Sequence, residues 1–276
     1  MPAIVITITS GKGGVGKTTT TAAFGAALAA RGNRVCVVDF DVGLRNLDLV
    51  LGIEKRVIFD FLHVASGKAK LSQALIRDKR NGNLYVLATS QTHEKDALTY
   101  DDVERVMAQL RAEFDYVVCD SPAGIEHGAM VALYHADHAI VVCNPEISSI
   151  RDADRMLGFV ASKSKRAEQG RSPVVEHLLV TRYDEERMQD GEMLPVSVIQ
   201  EILSAELLGV IPESRSVLKC SNAGVPASFD TTTDVGRAYT NAVSRFLGEP
   251  VHVPAPPALV EVAPPRGFLQ RLFRRG

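Results

Sequence analysis

The sequence predicts an α/β protein: a doubly wound, mainly parallel sheet with helices on both faces. Three observations carry that prediction. Short β-branched runs alternate with longer helical patterns almost to the end of the 276-residue chain. Most of the runs are continuously apolar, as strands covered on both faces are. A glycine-rich turn then joins the first strand to the first helix, and strand–helix alternation places ligands at the C-terminal ends of the strands.

The strands are expected at 3–9 ("AIVITIT"), 34–40, 83–89, 115–120, 138–144, 176–182 and 207–212. Helices are expected at 17–31, 101–113, 148–165, 196–205 and 234–247. Within 101–113 the apolar residues Val103, Val106, Met107 and Leu110 recur at a 3–4 spacing, which gives one buried face.

Composition narrows the class. A hydrophobic share of 46% with 23% charged residues is that of a soluble globular chain, long enough for a sizeable core. A formal net charge of −2 argues against coating nucleic acid by bulk electrostatics. Cys36, Cys119, Cys143 and Cys220 show no CxxC spacing, and three of them sit in apolar runs, so they read as buried thiols of a reducing compartment. No signal-peptide pattern opens the chain and no apolar window of about 18 residues occurs, which makes the body an expected cytosolic one.

The segment "SGKGGVGKTTT" (10–20) carries the chemistry. Gly11, Gly16, Lys17 and Thr18 fit G-x-x-x-x-G-K-[ST] between a strand and a helix. Gly11, Gly13, Gly14, Val15 and Gly16 form the loop, where glycines let backbone N–H groups face phosphates and the helix N-terminus adds positive potential. Lys17 can bridge the terminal phosphates, the Thr18 hydroxyl can ligate Mg²⁺, and Thr19 follows in the same turn. Lys12 is surplus to a loop that only holds a nucleotide. A magnesium site also needs a carboxylate at a strand end: Asp120 closes "DYVVCD", and Asp39 and Asp41 close "VVDFD", with spacing leaving open which acid faces the γ-phosphate. The lack of an N-K-x-D motif favours adenine over guanine.

"KGGVGKT" with its extra lysine resembles the MinD/ParA family of deviant Walker A ATPases. "DFDVGLRNLDLVLG" (39–52), "CDSPAGIEHGA" (119–129), "ISSIRDADRMLGFVASKSKRAE" (147–168), "VTRYD" (180–184), "VIPES" (210–214) and the terminal "GFLQRLF" are similar to its septum-site branch, nearly end to end. The resemblance implies a slow, ATP-dependent, Mg²⁺-requiring ATPase that dimerises on ATP and awaits an activating partner. It makes Lys12, Lys17 and Asp41 the catalytic set, with Lys12 reaching the nucleotide of a second copy and Asp41 orienting the attacking water. Asp120, with Thr18, supports the metal, and Asp39 is a supporting acid. Thr181, Arg182, Pro212 and Glu213 fall where the family cradles adenine. Arg45, Asn46 and Asp48 are switch residues near the interface; Arg45, Asp152 and Asp154 form the expected partner-binding set. The implied partners are a MinC-type division inhibitor, a MinE-type activator and the chain itself as a homodimer, with no nucleic acid.

The terminus adds an address. "EPVHVPAPPALVEVAPP" (249–265) holds six prolines in 17 residues and reads as an extended linker. In 266–276, Phe268, Leu269, Leu272 and Phe273 share one side of a helix, flanked by Arg266, Arg271, Arg274 and Arg275. That pattern suits the interface of an anionic membrane. The expected organisation is an ATPase domain at 1–248, the linker, and an amphipathic membrane-targeting helix at 266–276, giving a cytoplasmic protein reversibly peripheral on the inner face of the cell membrane. Two tails on one dimer bind about 10²–10⁴-fold better than one, so dimerisation can switch membrane binding. The rival readings are a partition-type ATPase on DNA, which needs a basic patch on the body, or another cargo-positioning ATPase of the family, and a metabolic enzyme: an electron-transfer reductase, which needs paired cysteines for an iron–sulfur cluster, or a synthetase, which has no use for the tail.

Overall fold

The computed structural model describes residues 2–91 and 98–251. Its strands are β1 (Ile4–Thr9), β2 (Val35–Asp39), β3 (Ile76–Arg77), β4 (Leu84–Leu87), β5 (Tyr116–Asp120), β6 (His138–Cys143), β7 (Val175–Tyr183) and β8 (Glu206–Pro212). They form one sheet in the order β3-β4-β2-β5-β1-β6-β7-β8. Every pairing is parallel except β3 with β4. All seven expected strands are present. The eighth, β3, has two residues, too few to show any periodicity, and it forms only as the antiparallel edge of β4.

The helices are α1 (Lys17–Ala30), α2 (Leu47–Leu51), α3 (Phe61–Ala65), α4 (Leu71–Ala74), α5 (Tyr100–Glu113), α6 (His127–Tyr134), α7 (Ile147–Lys163), α8 (Lys165–Glu168), α9 (Glu185–Gln189), α10 (Val196–Leu203), α11 (Arg215–Asn222) and α12 (Asp234–Phe246). The five expected helices are α1, α5, α7, α10 and α12. One boundary differs instructively. The expected helix 148–165 ends at Lys163 because Ser164 takes extended geometry and its side chain accepts the Ala167 N–H, capping α8. Most of the unexpected helices span one or two turns, too short for a 3.6-residue pattern to be read.

Alternation along each strand divides the core. Ile6, Ile8, Val35 and Val37 point to the face covered by α1 and α12, where Phe24, Leu28, Tyr239 and Val243 are fully or almost fully buried. Val5, Cys36 and Val38 point to the other face, against Val103, Val106 and Leu110 of α5. α1 is buried on nearly every side because it lies between the sheet, α12 and α2. Cys36, Cys119 and Cys143 are buried free thiols, as expected, and burial pushes Cys119 and Cys143 up to about 12, so they stay protonated. Cys220 is half-buried on α11. The linker from residue 252 and the tail at 266–276 lie outside the described residues. No helix among the described residues is long and apolar enough to cross a membrane.

A buried histidine gives this fold a testable pH dependence. His135, at the C-terminal end of α6, is 7% exposed, and its Nε2 has no hydrogen-bond partner. Burial lowers its pKa to about 4, against the pull of the Glu104 carboxylate 3.6 Å from Nδ1. The unfolded chain therefore binds the extra proton between about pH 6.5 and 4 while the folded chain does not. Stability contributed by this group falls as pH drops through that window, by roughly 2–3 kcal/mol, and levels off below it. Urea midpoints measured between pH 7 and 4 should carry this slope, and His135→Gln should flatten that share of it.

Candidate nucleotide site

Parallel pairing assembles the site. β5 lies between β1 and β2, and the register pairs Asp120 with Ile8 on one side and Asp39 on the other. The loop after β1 and both strand-end acids thus meet at one edge of the sheet, as doubly wound folds require. A cavity of about 650 Å³ opens there, lined by loop residues including Gly13, Gly14 and Gly16, by Lys17, Thr18 and Thr19 of α1, and by Asp41.

The loop glycines have separate reasons. Gly14 and Gly16 have φ of +75° and +96°, left-handed geometry that a side chain resists. Gly11 is needed for space: a Cβ there would sit 2.4 Å from the Asp152 carbonyl oxygen and 2.6 Å from its Cβ, so the loop packs directly on α7. Gly13 has room, with Ala123 Cβ the nearest atom at 3.9 Å. Val15 is fully buried, and its carbonyl accepts the Thr181 hydroxyl at 2.7 Å. Thr181 therefore braces the loop from beneath rather than lining the cavity.

Charge at the site is unbalanced toward negative. Lys17 is buried, and its Nζ donates to Ser10 Oγ at 2.9 Å, which in turn donates to the Lys12 carbonyl. Burial lowers the Lys17 pKa, while the Asp120 and Asp41 carboxylates oppose that shift. Asp120 accepts from Thr21 Oγ1 at 3.0 Å, and burial raises its pKa to about 6 against the pull of Thr18, Thr21 and Lys17. Asp39 is fully buried, and burial together with the Asp120 charge raises it well above the carboxylate range. Its two oxygens accept the Asp41 N–H at 2.8 Å and the Leu47 N–H at 3.3 Å. Asp39 thus ties the 41–47 segment to the sheet; like Asp120, which is 1% exposed, it is absent from the cavity lining.

A divalent cation fits this donor set. Asp120 and the Thr18 hydroxyl are hard oxygen donors, and Mg²⁺ is held by one or two carboxylates plus substrate phosphates. No group of three metal-ligating His, Cys, Asp or Glu side chains exists among the described residues, so phosphate oxygens and waters would complete such a shell.

The remaining expected residues divide. Arg182 lines the cavity in left-handed geometry, φ +55°, whereas Pro212 and Glu213 do not line it. Glu213 is exposed and its N–H donates to the Tyr183 carbonyl. Lys12 lies outside the cavity lining, its Nζ 2.9 Å from Glu146 Oε2 and 3.2 Å from Ser148 Oγ of its own chain. Arg45 has φ +47° and places Nε 2.6 Å from Asp48 Oδ2, with Asp48 buried. Asp154 is exposed on α7 and Asp152 half-buried against Gly11. Phe268, Leu269, Arg271, Leu272, Phe273, Arg274 and Arg275 lie outside the described residues.

Sequence reasoning missed Ser10, Glu146, Ser148, and the cavity walls supplied by Leu49 and Val50 of α2 and Ser221 and Asn222 of α11. For α11 a signal existed: Ser214, whose side chain accepts the Ser216 N–H, opens the helix, and left-handed Gly224 follows its end.

The chain matches the CobQ/CobB/MinD/ParA nucleotide binding domain over residues 6–227. It is 54% identical to the septum site-determining protein MinD of Escherichia coli (strain K12) over 270 residues, 98% of each chain. Among solved structures it resembles MinD in the MinC:MinD cell division protein complex of Aquifex aeolicus, with TM-score 0.77, 39% identity, and 91% of this chain and 98% of that one covered. It also resembles the septum site-determining protein MinD complexed with Mg-ADP from Pyrococcus horikoshii OT3, with TM-score 0.76, 29% identity, and coverage of 88% and 96%.

The two loop glycines give a paired test. Gly11→Ala forces main chain apart and should destabilise the nucleotide-free protein by about 1–3 kcal/mol. Gly13→Ala should stay within about 0.5 kcal/mol. Chemical denaturation midpoints at unchanged m-value read the difference.

Proposed function

The chain belongs to the CobQ/CobB/MinD/ParA nucleotide-binding family and is an ATPase of that family, and from this premise we propose how it works in placing the division septum. ATP closes two copies face to face, the dimer recruits a MinC-type division inhibitor at the membrane, and hydrolysis prompted by a MinE-type activator releases it. The observation that carries this reading is the cavity itself: Lys17, Thr18 and Asp41 meet inside it, and Lys12 stands just outside.

Each residue has a distinct task. Loop N–H groups and the α1 N-terminus hold the phosphates, and desolvated Lys17 swings from Ser10 to neutralise their developing charge. Thr18 and Asp120 would hold Mg²⁺, which would supply positive charge to offset that of the phosphates. Asp41, on the segment anchored by Asp39, orients the attacking water. Arg182, which lines the cavity, would lie against the base and ribose; Pro212 and Glu213 keep the adenine role that the family resemblance gives them.

Lys12 answers for the second copy. Its resting pair with Glu146 is solvent-exposed on both sides, 38% and 51%, and such pairs are worth about 0–1 kcal/mol. Exchanging Glu146 for a partner's phosphate therefore costs little and gains a much denser charge. Leu44 and Leu49, at 57% and 51% exposure beside the cavity, offer apolar area to the same interface. Asp152 and Asp154 on α7, with Arg45 on the switch segment, face the protein partners. The tail at 266–276 supplies the membrane contact, and the protein is cytoplasmic until paired tails bring it to the inner face of the membrane.

Co-sedimentation with anionic vesicles tests the cycle. The full chain should pellet with ATP and not with ADP, a chain ending at residue 265 should stay in solution with either, and Lys12→Ala should lose the ATP dependence. Pelleting of the full chain regardless of nucleotide overturns the paired-tail mechanism.

A further inference from the structure

We propose that Arg80, far from the phosphate loop in sequence, is a positioning residue that sets the α2–α11 wall of the nucleotide cavity. The proposal rests on the ATPase reading and extends it to a residue in the β3–β4 turn.

Two segments of that wall meet with no side chain between them. Gly52, which ends α2, and Gly224, which follows α11, have φ of +65° and +63°. A Cβ on Gly224 would lie 2.5 Å from Gly52 Cα, and one on Gly52 would lie 2.9 Å from the Gly224 carbonyl oxygen. Contact this close brings together carbonyls that the ends of the two helices leave without intrahelical donors. Something must supply positive hydrogen-bond donors to both.

The Arg80 guanidinium does so. Nη2 donates to the Leu51 carbonyl at 2.8 Å, and Nη1 donates to the Gly224 carbonyl. Asp78, itself 3% exposed, holds the guanidinium from behind, accepting from Arg80 Nε at 3.2 Å and pairing with Nη2. The guanidinium carbon lies 5.7 Å from the centre of the Phe229 ring, in the turn after α11. One planar cation thus joins the β3–β4 turn, the switch-segment helix, and the connection from α11 to α12. A lysine, with a single ammonium on a flexible stem, cannot span both carbonyls in this fixed geometry.

The joint bears on the nucleotide because of what the two helices present. α2 brings Leu49 and Val50 to the cavity and α11 brings Ser221 and Asn222, all within two to three residues of the clamped carbonyls. Leu47, at the other end of α2, is the residue whose N–H binds Asp39. A five-residue helix held at both ends keeps its cavity-facing side chains in place. With the Arg80 end released, the wall moves as a hinge about Asp39, and the site widens while the phosphate loop stays intact.

This wall is shared by ATP and ADP, so the effect belongs to binding rather than to the chemical step. In the full chain, Arg80→Met should raise the Kd of fluorescent ATP and ADP analogues about tenfold and the KM of ATP hydrolysis in step, with kcat within about twofold. Arg80→Lys should fall between wild type and Arg80→Met. A merely structural clamp would instead lower the melting temperature and the active fraction, reducing apparent kcat at unchanged KM and Kd. Wild-type Kd and KM in folded Arg80→Met overturn the inference, and if that variant does not fold, unchanged constants in Arg80→Lys overturn it equally. Failure of the ATPase reading shows separately, as a wild-type chain that binds neither nucleotide.

Discussion

Everything at the nucleotide edge depends on β5 pairing in parallel between β1 and β2. That pairing is long-range: β5 begins more than 100 residues after β1, and nothing local enforces it. Its driving force is burial of β-branched side chains on both faces of the sheet, reinforced by ladder hydrogen bonds in an interior without competing water. Its result is chemical. A buried lysine, two buried carboxylates, the half-buried Asp41 and a helix N-terminus converge at that edge, and the buried charges act at greater strength than on the surface. Burial is the main cause of the raised Asp39 and Asp120 pKa values, with neighbouring carboxylates adding to it, and a bound divalent cation would oppose both.

Around this rigid edge the contacts grade from tight to loose. Gly11 lies against the main chain of Asp152, so the phosphate loop and the start of α7 form one packed unit. Thr181 ties the same loop to β7. By contrast, the Lys12 pair with Glu146 is exposed, and the segment 41–47 is anchored chiefly through the Asp39 carboxylate. Such a gradient suits a switch: the parts that recognise phosphate cannot drift, whereas the parts that meet a second copy exchange partners cheaply.

Much of this was legible in the sequence because it depends on local rules. The continuously apolar strands, the 3–4 spacing of α5 and the phosphate-loop pattern each follow from one short window, and each was found where expected. The division of labour among Asp39, Asp41 and Asp120 was not legible in spacing alone and came only from the family resemblance. Asp39 and Asp120 end β2 and β5 and Asp41 lies two residues past β2; the hydrogen bonds show Asp39 with both oxygens engaged by backbone while Asp41 lines the cavity. Thr181 likewise falls beside the site in sequence and beneath it in space.

The sequence by itself determined the fold class, the phosphate loop and the surplus lysine, because β-branching, glycine conformational freedom and helix periodicity act over a few residues. Only the tertiary structure decided that Asp39 commits both oxygens to backbone N–H groups, that Lys12 rests on Glu146, that Gly11 must yield space to α7, and that Arg80 joins two helix ends. Most of those facts are contacts between residues far apart in the chain, up to 144 positions for Arg80 on Gly224, and no local pattern encodes them. They follow from the order in which the strands pair, and that order is set by burying the whole sheet at once.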